Sequence, residues 1–217
     1  MHKDKKMTRT ILIINSKGGS GKTTIATNIA SYFSNEGKSV ALIDLDPQQS
    51  SADWVKARSS AKKPIGIYNA LNYGKIKRNT DVKVFDAPAG IAGKDLTKVL
   101  TLAQSVIVPV LPSPIDMKAA SKFIEALKKH PRIVNKKAKI ALVANKGRDF
   151  TNIYWELDDF LSKQKIPFLT MIRDSQNYIK AASRGVGIFE MGPAMTDIDR
   201  ELWEPVIKWL KSKRSMP

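Results

Sequence analysis

Residues 18–24 run Gly-Gly-Ser-Gly-Lys-Thr-Thr, shortly after an apolar run that ends at Ile14. Glycines at 18, 19 and 21 let a backbone curl until several N–H groups face one phosphate, and a helix opening at Lys22 adds its positive end. In such a loop Lys22 reaches the β- and γ-phosphates of a nucleotide, and the Thr23 hydroxyl can bind Mg²⁺. The general spacing G-x-x-x-x-G-K-[ST] would need glycine at position 16, but Ser16 stands there and Lys17 follows it. Asp44 and Asp46 alternate within Asp44-Leu45-Asp46-Pro47-Gln48, so they point to the same side, and Asp86 precedes Ala87-Pro88-Ala89-Gly90. Phosphoryl transfer to water asks a protein mainly to place the water and spread charge on the γ-phosphate. Carboxylates near Mg²⁺ and water are the equipment for that task.

These groups can meet only if the fold brings them to one edge. Ile11-Leu12-Ile13-Ile14 is a continuous apolar run of the kind buried on both faces of a parallel sheet, and it enters the glycine turn. Residues 22–35 place Ile25, Ile29, Tyr32 and Phe33 at helical spacing, with Gly37 as the stop. Residues 40–45 and 82–85 read as two further strands, with Asp44, Asp46 and Asp86 at their ends. Residues 105–110, 140–144 and 166–170 continue the series, and 116–130 reads as helix. This alternation predicts an α/β fold: an open, doubly wound, mostly parallel sheet flanked by helices, with ligands at the carboxyl ends of its strands. One domain covers 1–217, and residues 1–9 read as a disordered basic head. Residues 58–80, rich in Lys, Asn and Gly, yield no assignment.

Composition narrows the class. With 42% hydrophobic residues the 217-residue chain can bury a sizeable core, and without cysteine it has no disulfide, thiolate nucleophile or Cys-type metal site. No apolar run approaches the ~20 residues of a membrane span, which points to the cytoplasm. Lys and Arg number 37 against 20 Asp and Glu, a net charge of +17 that favours polyanionic surroundings.

Lys17-Gly18-Gly19-Ser20-Gly21-Lys22-Thr23 matches the deviant Walker A loop K-G-G-x-G-K-T, and on these residues the chain resembles the ParA/MinD family of ATPases. The motifs at 44–48 and 86–90 resemble the family's D-x-D-P-Q and Walker B elements. The chain is similar to the small, ParF-type partition ATPases, with no room before Lys17 for a helix-turn-helix domain. The resemblance implies a P-loop NTPase fold, ATP and Mg²⁺ as cofactors, and an ATP-bridged homodimer in which Lys17 crosses into the partner's site. It further implies that residues 17–24 (Lys17, Gly18, Gly19, Ser20, Gly21, Lys22, Thr23, Thr24) hold nucleotide. Asp46 would orient the water, Asp44 support the Mg²⁺ shell, and Asp86 hold a Mg²⁺-bound water. Residues 105–125 resemble a segment that contributes to the dimer face. Asn145 sits where the family reads adenine. Because Arg148 replaces the acid of the guanine signature N-K-x-D, ATP is preferred over GTP.

The basic surplus has two readings. Relatives bind DNA without sequence preference through basic residues of the C-terminal third. Arg173, Lys180 and Arg184 are the corresponding candidates, and that binding is mainly phosphate neutralisation. A cytoplasmic, nucleoid-associated ATPase would follow, stimulated by a ParB-like partner and moving plasmid, chromosome or other cargo. The alternative is a MinD-like positioning ATPase that binds membrane through residues 199–214, where Leu202, Trp203, Val206, Ile207 and Leu210 mix with basic residues. The early start of this apolar stripe and the polar closing residues favour a helix packed on the sheet. A conventional metabolic P-loop enzyme, such as a kinase or amide ligase, would leave Lys17 without a purpose.

Overall fold

A computed structural model of the chain describes residues 8–147 and 152–217. The elements run β1 (Arg9–Ile13), α1 (Lys22–Asn35), β2 (Val40–Asp44), α2 (Ser50–Lys56), β3 (Gly66–Asn69), β4 (Val82–Asp86), α3 (Gly93–Leu102) and β5 (Ser105–Val110). They continue with α4 (Pro114–Lys129), α5 (Pro131–Val134), β6 (Lys139–Gly147), α6 (Asn152–Ser162), β7 (Phe168–Arg173), α7 (Gln176–Ser183) and α8 (Pro193–Lys211). The strands form one seven-stranded sheet in the order β3-β2-β4-β1-β5-β6-β7, and every pairing is parallel.

Alternation along each strand divides the interior into two layers, because successive side chains leave opposite faces. Ile11, Ile13, Leu42, Val84, Ile107 and Val143 pack with α1, α2, α7 and α8. Leu12, Ile43, Phe85, Val106, Val108 and Leu142 pack with α3, α4 and α6. Both faces are covered, which explains why the central strands read as unbroken apolar runs.

The predicted helix over 22–35 is α1, and Gly37 stops it at φ +77°. Three boundaries differ from the sequence reading. β1 begins at Arg9, inside the span read as a disordered head, because Arg9 pairs with Val82 and its guanidinium donates to Ser215 Oγ at 2.7 Å. The unassigned stretch 58–80 contributes β3, a four-residue edge strand paired with β2. β6 extends to Gly147, so Asn145 lies inside a strand and not in a turn after it. α8 turns Trp203, Val206, Ile207, Trp209 and Leu210 into the protein, and Trp203 is fully buried. Among the described residues no helix is long and apolar enough to cross a membrane.

Candidate active site

The loop between β1 and α1 lies at the carboxyl edge of the central strand, with β4 on one side and β5 on the other. Gly19 (φ +73°) and Gly21 (φ +87°) adopt left-handed conformations that other residues enter only at a cost, and Gly21 caps α1. Asn15, which the sequence reading passed over, braces this loop from below. Its side chain donates to the Pro109 carbonyl at 2.6 Å and accepts the Lys17 N–H at 3.1 Å. Asn145 braces it from the other side: its amide donates to the Ser20 carbonyl at 3.0 Å, and a Cβ on Gly21 would overlap that amide.

Two lysines of the loop are used differently. Lys22 is buried and folds back so that its ammonium donates to the Lys17 carbonyl at 3.0 Å. Burial lowers its pKa, while the charges of Asp86 and Asp46 oppose that shift. The Lys17 ammonium, by contrast, makes no hydrogen bond or ion pair among the described residues and is partly exposed.

Asp44 and Asp86 are register partners at the ends of adjacent strands. Asp86 Oδ2 accepts hydroxyl hydrogen bonds from Thr23 at 2.7 Å and from Ser51 at 2.8 Å. Its other oxygen, Oδ1, is buried and has no partner among the described residues. Burial pushes the Asp86 carboxyl up to about 6, against the pull of the Thr23 and Ser51 hydrogen bonds, with the Asp44 charge adding to the rise. Asp44 gives both oxygens to the chain: Oδ1 accepts the Asp46 N–H at 3.1 Å and Oδ2 the Ala52 N–H at 3.0 Å. Its pKa is raised by burial, partly offset by these backbone bonds. Asp46 is half-buried, and its Oδ1 accepts the Gln48 N–H at 3.0 Å.

The donor set fits a magnesium nucleotide. Buried Oδ1 of Asp86 is an acceptor without a partner among the described residues, the Thr23 hydroxyl lies beside the same carboxylate, and the curled glycine loop presents N–H groups. No cluster of three or more His, Cys, Asp or Glu able to hold a metal occurs among the described residues. A cation here would therefore take the rest of its shell from phosphate and water, as Mg²⁺ commonly does.

Residues 11–188 match the model of the CobQ/CobB/MinD/ParA nucleotide binding domain. The chain belongs to the ParA/MinD family of P-loop ATPases. Over 192 residues, 84% of this family member and 88% of the relative, it is 31% identical to maintenance of carboxysome distribution protein A from Halothiobacillus neapolitanus. Its fold is similar to the apo McdA structure from Cyanothece, with a TM-score of 0.76 and 15% identity over 95% of this chain and 100% of that one. It is also similar to cobyrinic acid a,c-diamide synthase from Mycobacterium smegmatis with bound ATP analog and magnesium. There the TM-score is 0.71 and the identity 21%, over 97% of this chain and 98% of that one.

The fold brings residues 17–24, Asp44, Asp46, Asp86 and Asn145 to one edge of the sheet. Ser51, also unremarked in the sequence, joins them; its only signal was a hydroxyl shortly after Asp-Pro-Gln-Gln. The basic candidates divide. Lys180 and Arg184 are exposed on and just after α7, whereas Arg173 is bound through Nε (2.8 Å) and Nη2 (3.0 Å) to the buried Asp199. Arg148 lies outside the described residues.

Proposed function

We propose that this chain is a cargo-positioning ATPase that closes into a homodimer on Mg²⁺ and ATP, binds DNA without sequence preference as that dimer, and lets go on hydrolysis. The observation that carries this reading is the division of labour between the two loop lysines. Lys22 is already turned into its own loop, while Lys17, a few residues of backbone away, has no side-chain partner among the described residues. A cation held at a phosphate site but unused by its own subunit suits the site of a second copy.

On this reading the loop N–H groups and Lys22 bind the phosphates, and the ammonium leaves the Lys17 carbonyl to do so. Thr23 and Asp86 hold the Mg²⁺ shell, which supplies charge neutralisation on the γ-phosphate. Both oxygens of Asp44 serve the backbone, so it supports that shell by fixing the start of α2. Asp46, whose carboxylate stands outside the hydrogen bonds around Asp86, orients the attacking water. Asn145 holds the loop by one amide hydrogen and meets the base with the remainder of its side chain. Turnover is slow until a partner protein of ParB type completes the site.

The exposed Lys180 and Arg184 neutralise DNA phosphates; a dimer presents two such sets on one surface and so raises affinity with nothing added to either subunit. The apolar stripe of α8 faces the sheet, which supports nucleoid DNA over a membrane as the surface used. The name of the carboxysome relative supports a protein compartment as cargo; on this reading the chain acts in the cytoplasm, on the nucleoid.

Size-exclusion chromatography with light scattering tests the reading. With Mg²⁺ and a non-hydrolysable ATP analogue the wild type should elute as a dimer. Lys17→Ala should bind nucleotide yet stay monomeric, and Lys22→Ala should lose nucleotide affinity by about 10- to 100-fold, the scale of a charge-assisted bond. A wild type that remains monomeric with saturating analogue would remove the basis of the proposal.

A further inference from the structure

A short helix joins the two surfaces on which the proposed function depends. The amino end of α2 is fixed to the nucleotide edge: Ser51 Oγ donates to Asp86 Oδ2 at 2.8 Å, and the Ala52 N–H donates to Asp44 Oδ2 at 3.0 Å. Its carboxyl end is fixed to the segment that follows α7. Trp54 Nε1 donates to the Val186 carbonyl at 3.3 Å, and Arg58 Nη1 donates to the Gly185 carbonyl at 2.9 Å. The same guanidinium grips Glu190 at 2.9 and 2.6 Å in a pair whose side chains are only 4% and 2% exposed. Gly185, at φ +61°, lies so close that a Cβ there would overlap the Arg58 backbone. One residue before it stands Arg184, and Lys180 lies on the last turn of α7.

Ser51 is fully buried and shares its acceptor oxygen with Thr23. Any rearrangement of Thr23 and Asp86 around a nucleotide therefore changes the acceptor that holds the start of α2. With seven residues and both ends tethered, α2 has little freedom to absorb such a change internally. The segment it meets is anchored on its other side to α1, where Asn28 Oδ1 accepts the Ile188 N–H at 2.7 Å. Movement of α2 against α1 would thus be delivered to residues 184–187.

We propose that Ser51 is a positioning residue that reports the state of Asp86 through α2, Trp54 and Arg58 to the basic end of α7. The proposal rests on the reading above for the nucleotide at Thr23 and Asp86 and for the identity of the output surface, DNA. It names the physical link by which the nucleotide alters that surface within one subunit, in addition to any effect of dimerisation.

Hydrogen exchange and DNA binding, measured on the full chain with and without saturating Mg²⁺ and ATP analogue, test the link. In the wild type the analogue should change amide exchange at residues 184–190. Ser51→Ala and Trp54→Phe should bind analogue but lose most of that change, and Ser51→Thr, which keeps the hydroxyl, should restore it. The nucleotide-induced gain in affinity for random duplex DNA should fall about 2- to 10-fold in the two variants, the worth of one hydrogen bond, while affinity without nucleotide stays at the wild-type value. A merely structural role would weaken both. Exchange at 184–190 that ignores the analogue in the wild type, or still responds in Ser51→Ala, overturns the relay. A Ser51-dependent exchange response without any gain in DNA affinity upholds the relay and refutes DNA as the output.

Discussion

Two regions of this protein bury carboxylates, and they treat them in opposite ways. Behind α7, Glu190 receives both arms of Arg58 and the Gly187 N–H, while Asp199 receives two nitrogens of Arg173 and the Asn177 amide. At the carboxyl edge Asp86 has hydroxyl donors on one oxygen, nothing on the other, and no ion pair among the described residues. The first region is complete within the chain, whereas in the second a buried oxygen of Asp86 has no partner among the described residues, which suits the cation of the proposed function. An uncompensated buried carboxylate is a cost that a fold bears for function, whereas a paired one is structure.

Arg58→Ala leaves Glu190 buried without its cation. A loss of about 3–5 kcal/mol is expected, read as a lower urea midpoint at unchanged slope. Replacing both partners by Met and Leu should recover much of it.

At Asp86 the sign reverses. Its folded pKa of about 6 lies above the ordinary 3.8, so the native state binds the proton more tightly than the unfolded chain does. The resulting stabilisation is complete below pH ~4 and is lost as pH rises through about 6. Nucleotide-free wild type should therefore weaken across that interval, and Asp86→Asn should not. Above the interval the variant should be more stable by up to about 3 kcal/mol. Mg²⁺ and ATP should restore the wild type and stabilise the variant less, in thermal melts at fixed pH.

Lys180→Ala with Arg184→Ala should leave stability unaltered and flatten the salt dependence of DNA binding by about 0.9 for each phosphate no longer neutralised. Arg173→Ala should behave as a stability variant, since its charge serves Asp199.

Much of this was legible in the sequence alone. The unbroken apolar runs at 11–14 and 105–110 mark buried parallel strands, and the glycine loop between strand and helix marks the candidate phosphate site. Local pattern failed where partners are distant or patterns short. β3 is four residues, two exposed and two half-buried, and contains a glycine, with no alternation to read. Asn145 resembles a turn residue because asparagine favours turns; its bond to Ser20 and its approach to Gly21 join positions far apart in the chain. Ser51 and Asn15 are common polar residues whose importance comes from what faces them, and the Arg58–Glu190 pair joins positions that no local window spans.

Gly21 and Asn145 also constrain how this sequence can drift. Since any side chain at position 21 would strike the Asn145 amide, a library randomised at position 21 alone should return glycine almost exclusively. Pairing it with a smaller residue at 145 would clear the steric block yet leave the left-handed backbone at 21 unrelieved. The two positions should therefore resist change both singly and together, a fixed point around which the rest of the loop can vary.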